Sequence, residues 1–376
     1  MCVLVSLTNT HKKHPRNLIF VIRFLNLGEI MKKNLNQKLC TVITLALLSV
    51  STVAAENEVI TIKPPRTIEE LNAKWEVLKP AYTEGSPYNL KPEMSYFNNK
   101  LTFGAPKAEV LIDGLNTLNF ARYMAGLTGD VSMLMDFIIS TQFASALLAF
   151  RNQGLSHTPP KPDGVSDDFY KFGFEGTKNS NLSLIATGRD ESTGVAQAVK
   201  IYLSDLGEHN RYMVGHRYSA LDPEMTGTGF GIATSRSGIM YSAMWTGYGV
   251  SLNGTGTKTT DYEIITWPAA GYHATDFYSE GMQWSVLLNK KQYDIDKLDN
   301  TKVTVTGPNG TSVVPHKIGP YGRMIIFEPT KSIKAGQKYK VEISGLYRNN
   351  KPTTINYSVE FFNLNEQKSS DVDTSR

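Results

Sequence analysis

Five histidines lie beyond residue 55: His157, His209, His216, His273 and His316. Imidazole exchanges protons near neutral pH and binds metals readily, so these positions are the first candidates for chemistry. Two sit in distinctive local sequence. His157 lies in Leu155-Ser156-His157-Thr158-Pro159-Pro160, and His216 in Val214-Gly215-His216-Arg217, with Asp205 a short way upstream. His209 reads as an exposed residue at a helix end. Ser156 beside His157 is not read as a nucleophile–base pair, because adjacent side chains need not face each other and no nucleophile elbow is present. Gly227-x-Gly229-x-Gly231 precedes a strand pattern, whereas a dinucleotide loop precedes a helix. Asp294, Asp296 and Asp299 lack the glycine and terminal glutamate of a calcium loop.

The elements that must position these groups follow from periodicity. Apolar residues at helical spacing predict helices over about Ala108 to Gly126 (Leu111, Leu115, Leu118), Val131 to Asn152 after Asp130 as N-cap, and Thr193 to Leu206 (Val195, Ala198, Val199, Tyr202). His157 then falls just past the second helix, and Asp205 on the last turn of the third. The Pro-, Gly- and Asp-rich stretch Pro159 to Ser183 reads as a polar loop. Gly229 to Thr234, Ile239 to Trp245 and Tyr262 to Trp267 read as short strands, so helices surround a short antiparallel sheet. From about Met282 the pattern is purely β, with strands at Trp284 to Leu288, Lys302 to Thr306, Arg323 to Phe327, Tyr339 to Ile343 and Ile355 to Phe362. That spacing predicts an immunoglobulin-like sandwich.

Ahead of these elements, Met31-Lys32-Lys33 opens a basic stretch. An uncharged run from Leu39 to Val50 and the small residues Ser51 to Ala55 follow, in the order of a secretory signal peptide cleaved after Ala55. The run is too short to span a membrane. Residues 1–30 are expected to lie outside the working protein as an over-called start, since Gly28-Glu29 is compatible with a ribosome-binding sequence before the Met31 codon. Residues 1–55 hold 7 of the 39 Lys and Arg and 1 of the 35 Asp and Glu. The remainder therefore carries 32 positive against 34 negative residues, a net charge of −2 in place of +4. The apparent basicity belongs to the leader, and no electrostatic footprint for nucleic acid remains. Cys2 and Cys40 also fall within residues 1–55, so the rest of the chain has no disulfide framework.

The run Asp205-x4-Asn210-x3-Val214-Gly215-His216-Arg217-x3-Leu221-x-Pro223-x5-Gly229-Phe230-Gly231 resembles the signature of bacterial CAP domains, the cysteine-rich secretory protein, antigen 5 and pathogenesis-related superfamily. Leu118-Asn119-Phe120-x-Arg122-x3-Gly126-Leu127, Leu155-Ser156-His157-x-Pro159 and Ser180-Asn181-Leu182 extend the resemblance across about 107–267. It implies an α+β chain in which a three-layer α-β-α CAP sandwich precedes a small all-β immunoglobulin-like sandwich. The expected organisation is an extended lead-in at 56–103 with a short helix near Ile68 to Leu78, a CAP domain at 104–271, a β-sandwich at 272–364 and a disordered tail at 365–376.

The resemblance also implies a cleft. In that family two histidines and two acidic residues line a cavity that can hold a divalent metal; by position His157 and His216 match the histidines, and Asp205 stands where a Glu is usual. Ser180 and Asn181 lie where many relatives carry Gly-Glu-Asn, so the second carboxylate is missing here. Glu175 is near in sequence, but its spacing does not match. Two imidazoles and one carboxylate could still hold zinc, with weaker affinity and no assigned general base. Each residue has a structural reading as well: a histidine after a buried helix can bond backbone carbonyls, and Asp205 can orient His216 or cap a turn. The leading expectation is a secreted, non-enzymatic binding module for an extracellular ligand or cell-envelope component. The alternatives are a metal-dependent hydrolase acting on peptide or cell-wall material through the same cleft, and lipid or sterol binding.

Overall fold

The computed structural model describes residues 56–82, 85–95, 100–186, 194–208, 210–247, 254–310, 312–313, 316–328 and 333–364. The leader at 31–55, residues 1–30, His209 and the tail at 365–376 lie outside the described residues.

A short strand, β1 (Glu58–Thr61), leads to helix α1 (Ile68–Leu78). Thr67 starts that helix by accepting from Glu70 N, while the Glu70 carboxylate accepts from Thr67 N, a reciprocal cap that occupies two otherwise unpaired donors. Helices α2 (Ala108–Met124) and α3 (Met135–Arg151) follow in the regions their periodicity marks. The start of α3 differs from expectation. Ser132–Met133 pairs in parallel with Gly227–Thr228, and Asp130 accepts from Thr257 N instead of capping the helix. Ser132 and Leu134 donate to Thr226 and Thr228, so their amides are engaged before the first helical turn.

The segment 159–183 is not a plain loop. It contains helix α4 (Asp167–Lys178), capped by Ser166 Oγ, and the start of strand β2 (Ser180–Ala186). The polar composition conceals the helix because glycines supply much of its buried face. A Cβ on Gly176 would lie 2.1 Å from Ser140 O of α3, so only glycine permits this approach. Helix α5 (Gly194–Ser204) then buries Val195, Ala198, Val199 and Tyr202 as its periodicity predicts, and the short α6 (Gly215–Ala220) carries His216.

Strands β2, β3 (Phe230–Thr234) and β4 (Ile239–Trp245) form an antiparallel sheet in the order β2-β4-β3. One face, with Ala233, Tyr241 and Ala243, packs against Leu147 of α3 and Phe169 of α4. The other, with Phe230, Ile232, Met240 and Met244, packs with Leu118 of α2 and Val199 of α5. Gly229 and Gly231 belong to this packing: Cβ atoms there would meet α3 backbone at 2.4 and 2.3 Å.

Strand β5 (Ile264–Trp267), expected beside β3 and β4, belongs elsewhere. Together with β6 (Gly271–Ala274), β7 (Trp284–Leu288), β8 (Lys302–Thr306), β9 (Ser312–Val313), β10 (His316–Tyr321), β11 (Met324–Glu328), β12 (Lys338–Arg348) and β13 (Lys351–Phe362), it builds the C-terminal sheets. One is four-stranded, in the order β5-β7-β11-β10. The other runs β1-β13-β12-β8-β9, with β6 also on β13. Both β1 and β6 lie parallel to β13, opposite 353–356 and 359–362 respectively. Trp284, Val286, Ile325, Val341, Ile355 and Phe361 fill the space between the sheets. The opposite face of the four-stranded sheet, with Ile265, Trp267, Leu287, Met324 and Ile326, shares a core with α2 and α5. Burial on both faces explains why β5, β7 and β11 read as continuous apolar runs.

The chain is therefore mixed α and β. No helix among the described residues is long and apolar enough to cross a membrane.

Candidate functional site

Asp205 stands just past the end of α5 with φ +53°, a left-handed conformation that Asp and Asn tolerate better than most residues. From there its Oδ2 accepts from the backbone N–H of His216 at 3.0 Å and of Arg217 at 3.2 Å, closing the N-terminus of α6. Its Oδ1 lies 3.0 Å from His216 Nδ1. That oxygen sits off the N–H direction, however, and although buried it has no aligned donor. Asn210 approaches the same Nδ1 with its amide at 3.1 Å. A ring lone pair facing the carboxylate would be repelled, so the consistent assignment places the proton on Nδ1 and turns the Asn210 amide oxygen toward it. Nε2 is then the acceptor left to the ring. Asp205 is thus both a helix cap and the residue that orients His216.

Asn181 completes this corner. On β2 it donates from Nδ2 to His216 O at 2.9 Å, while its Oδ1 is buried without a partner. Tyr202 presents its edge to the His216 ring with centroids 5.6 Å apart. Its hydroxyl contacts Ser183 and Ser242, and burial pushes its pKa up to about 12, so it remains a neutral donor. Ser180 is the cross-strand neighbour of Trp245, and both Ser180 Oγ and Trp245 Nε1 are buried and unpartnered. By strand alternation Ser180 turns to the sheet face opposite Asn181.

His157 is anchored at the same end of β2 by another route. Its Nδ1 donates to Thr177 O at 2.8 Å, and Thr177 Oγ1 donates back to His157 O at 3.2 Å. The residue is exposed, whereas the His216 side chain is 15 % exposed. The segment 177–181 therefore holds both histidines, although no contact joins the two rings. His216, Asp205 and Asn181 are brought together; His157 and Ser180 stand on adjoining positions. Glu175 is exposed and accepts from Asn179. Ser156 accepts from Thr158 N in a local turn.

For a metal, the donors fit in part. Each imidazole spends Nδ1 on a neighbouring group, Thr177 O for His157 and the Asn210 amide beside Asp205 for His216, the kind of contact that orients metal-ligating histidines. Asp205, however, uses its carboxylate on two backbone amides and on His216. Among the described residues no group of three or more His, Cys, Asp or Glu side chains is gathered as a ligand set. The aspartates near 294–299 serve a 3-10 turn, where Asp294 accepts from Asp296 N.

Arg217, next to His216, is fully buried and was not singled out by its chemistry. Its guanidinium donates to Leu203 O, Ser204 O, Gln283 O and Ser285 Oγ at 2.6 to 3.1 Å. Burial lowers its pKa to about 10, with Asp205 opposing that shift. The sequence signal was present in the run Gly215-His216-Arg217, but sequence cannot say that the Arg points inward.

No known family model matches the chain, and no characterised protein matches it in sequence. Among solved structures, the selenomethionine form of the copper resistance protein PcoC from Escherichia coli is similar at 17 % identity and a TM-score of 0.19. That similarity covers 26 % of this chain and 94 % of PcoC.

Proposed function

We propose that this is an exported CAP-type protein whose cleft, centred on His216, Asp205 and Asn181 and bordered by His157 and Ser180, binds an extracellular ligand without catalysing its conversion. In this reading the α3/α4, β2–β4 and α2/α5 layers are the CAP sandwich, and the C-terminal sheets are an immunoglobulin-like sandwich. The observation that carries the proposal is Asn181 Oδ1, a buried acceptor with no hydrogen-bond partner beside His216, together with Ser180 Oγ and Trp245 Nε1, likewise buried and unpartnered on the opposite face of the same sheet end. A buried unpaired polar atom costs about 1–3 kcal/mol, so three at one end of the sheet favour a role in binding over a role in stability. Asn181 Oδ1 offers an acceptor beside the His216 ring, which suits a ligand carrying N–H or O–H donors.

The test uses Ser180→Ala and His216→Ala variants with a thermal-shift panel of cell-wall glycans, short peptides, sterols and divalent ions. Ser180→Ala removes an unpaired hydroxyl and is expected to raise stability by about 1 kcal/mol while weakening whichever compound shifts the parent. If Ser180→Ala lowers stability, or every hit survives both variants, the cleft reading fails. A hit confined to zinc would favour the metal-dependent hydrolase, for which the Nδ1 contacts of the two imidazoles are the supporting observation.

A further inference from the structure

A second feature, remote in chemistry from the histidines, lies where loops of the helical half meet turns of the C-terminal sheets. A cavity of about 230 Å³ is lined by Lys258, Lys290, Lys291 and Arg323, with Glu224 as its one carboxylate. An adjoining cavity of about 300 Å³ shares Glu224, Lys290 and Arg323 and adds Asp222. The chain beyond residue 55 is net negative, so this concentration of positive charge runs against the overall balance. None of the three lysines forms an ion pair among the described residues.

The walls are fixed. Arg323 is 8 % exposed. It donates to Tyr262 OH at 2.6 Å, to Tyr218 OH at 3.3 Å and to Asp222 Oδ1 at 3.4 Å. A guanidinium has five N–H donors, so these contacts leave some uncommitted on a side chain that cannot swing away. Asn289 anchors the lysine turn: its Nδ2 donates to Tyr262 O, and its Oδ1 accepts from Lys291 N. The Lys258 loop is held by Thr259 N donating to Pro223 O. Three exposed lysines on braced backbone and one fixed, buried arginine therefore border a single concave space, which concentrates positive potential there.

We propose that this cavity binds an oxyanion of the phosphate class, either free phosphate or a phosphate ester of a small polyol. Its volume corresponds to roughly eight waters at ~30 Å³ each, enough for a phosphoryl group on a three-carbon polyol and too little for a nucleotide. Thr259 and Thr260 add hydroxyl partners on the wall.

Calorimetric titration of the purified protein with inorganic phosphate, glycerol 3-phosphate and glycerol tests this. Saturable binding of the two phosphates and none of glycerol is expected, weakening severalfold between 20 and 200 mM salt, as screening requires. Tighter binding of glycerol phosphate identifies an ester as the ligand; equal binding identifies free phosphate. Lys290→Glu with Lys291→Glu, on an exposed turn, should retain the parent melting temperature and bind at least about tenfold more weakly. If that pair melts early, Lys258→Glu serves in its place. His216→Ala should bind phosphate unchanged, which separates this site from the histidine cleft. Absence of saturable phosphate binding, or binding indifferent to salt and to both charge reversals, overturns the proposal.

Discussion

Replacing Arg217 with Met should destabilise the protein by about 3–4 kcal/mol, although the residue touches no solvent and Met fills similar volume. The magnitude follows from what the guanidinium satisfies. Leu203 and Ser204 are the last residues of α5, whose terminal carbonyls have no partner within the helix. Arg217 donates to both and reaches across to Gln283 O and Ser285 Oγ. Three carbonyls left unpaired cost at least about 1 kcal/mol each, and Asp205 loses its nearest buried countercharge. Relief of guanidinium burial, the cause of its pKa falling to about 10, returns part of this. For a chain of this size, 3–4 kcal/mol corresponds to a melting temperature lower by about 4–6 °C. Urea unfolding followed by far-ultraviolet circular dichroism and tryptophan fluorescence measures it. Arg217→Lys should recover less than half of the loss, because one ammonium cannot span both the α5 terminus and β7. A loss below about 1 kcal/mol for Arg217→Met, or full recovery by Lys, would refute the reasoning.

Two other perturbations test the same structure. Burial pushes the His273 pKa down to about 3, so between pH 6.5 and 3 the unfolded chain binds the extra proton and stability falls with pH, by about 3 kcal/mol at pH 4.5. His273→Gln, which cannot take up that proton, should flatten the change in urea midpoint between pH 7 and 4.5; an unchanged slope rules the argument out. Gly231→Ala should cost about 2–3 kcal/mol because the methyl would sit 2.3 Å from Thr141 O of α3, whereas Gly215→Ala, which meets nothing within 4 Å, should stay within about 0.5 kcal/mol; equal unfolding midpoints would show that α3 can shift.

The helices with strong apolar stripes were legible from sequence, since Leu111 and Leu118, or Val195, Ala198, Val199 and Tyr202, mark a buried face at helical spacing. Helix α4 was not, because Gly173 and Gly176 lie on its packing face, and a glycine chosen for close approach looks to a propensity argument like a loop residue. Strand β5 was placed as a strand but beside the wrong neighbours. Ile264–Trp267 follows β4 in sequence yet pairs with β7, a choice made by burial on both faces that local pattern does not record. At the candidate site, His216 and Asp205 stood out by type and position. Their relation did not, because the left-handed backbone at Asp205 decides whether that carboxylate faces a cleft or caps α6.

That cap also links the histidine to the C-terminal sheets. Asp205 Oδ2 holds the amides of His216 and Arg217 together, and Arg217 is fastened in turn to Gln283 and Ser285. The imidazole is therefore positioned by the end of α5 from one side and by the β7 region from the other. A rotation of α6 that moved His216 would have to break the buried guanidinium contacts. The C-terminal sheets thus act on α6 as a brace, and Arg217→Met should disturb ring orientation at His216 even under conditions where the chain remains folded.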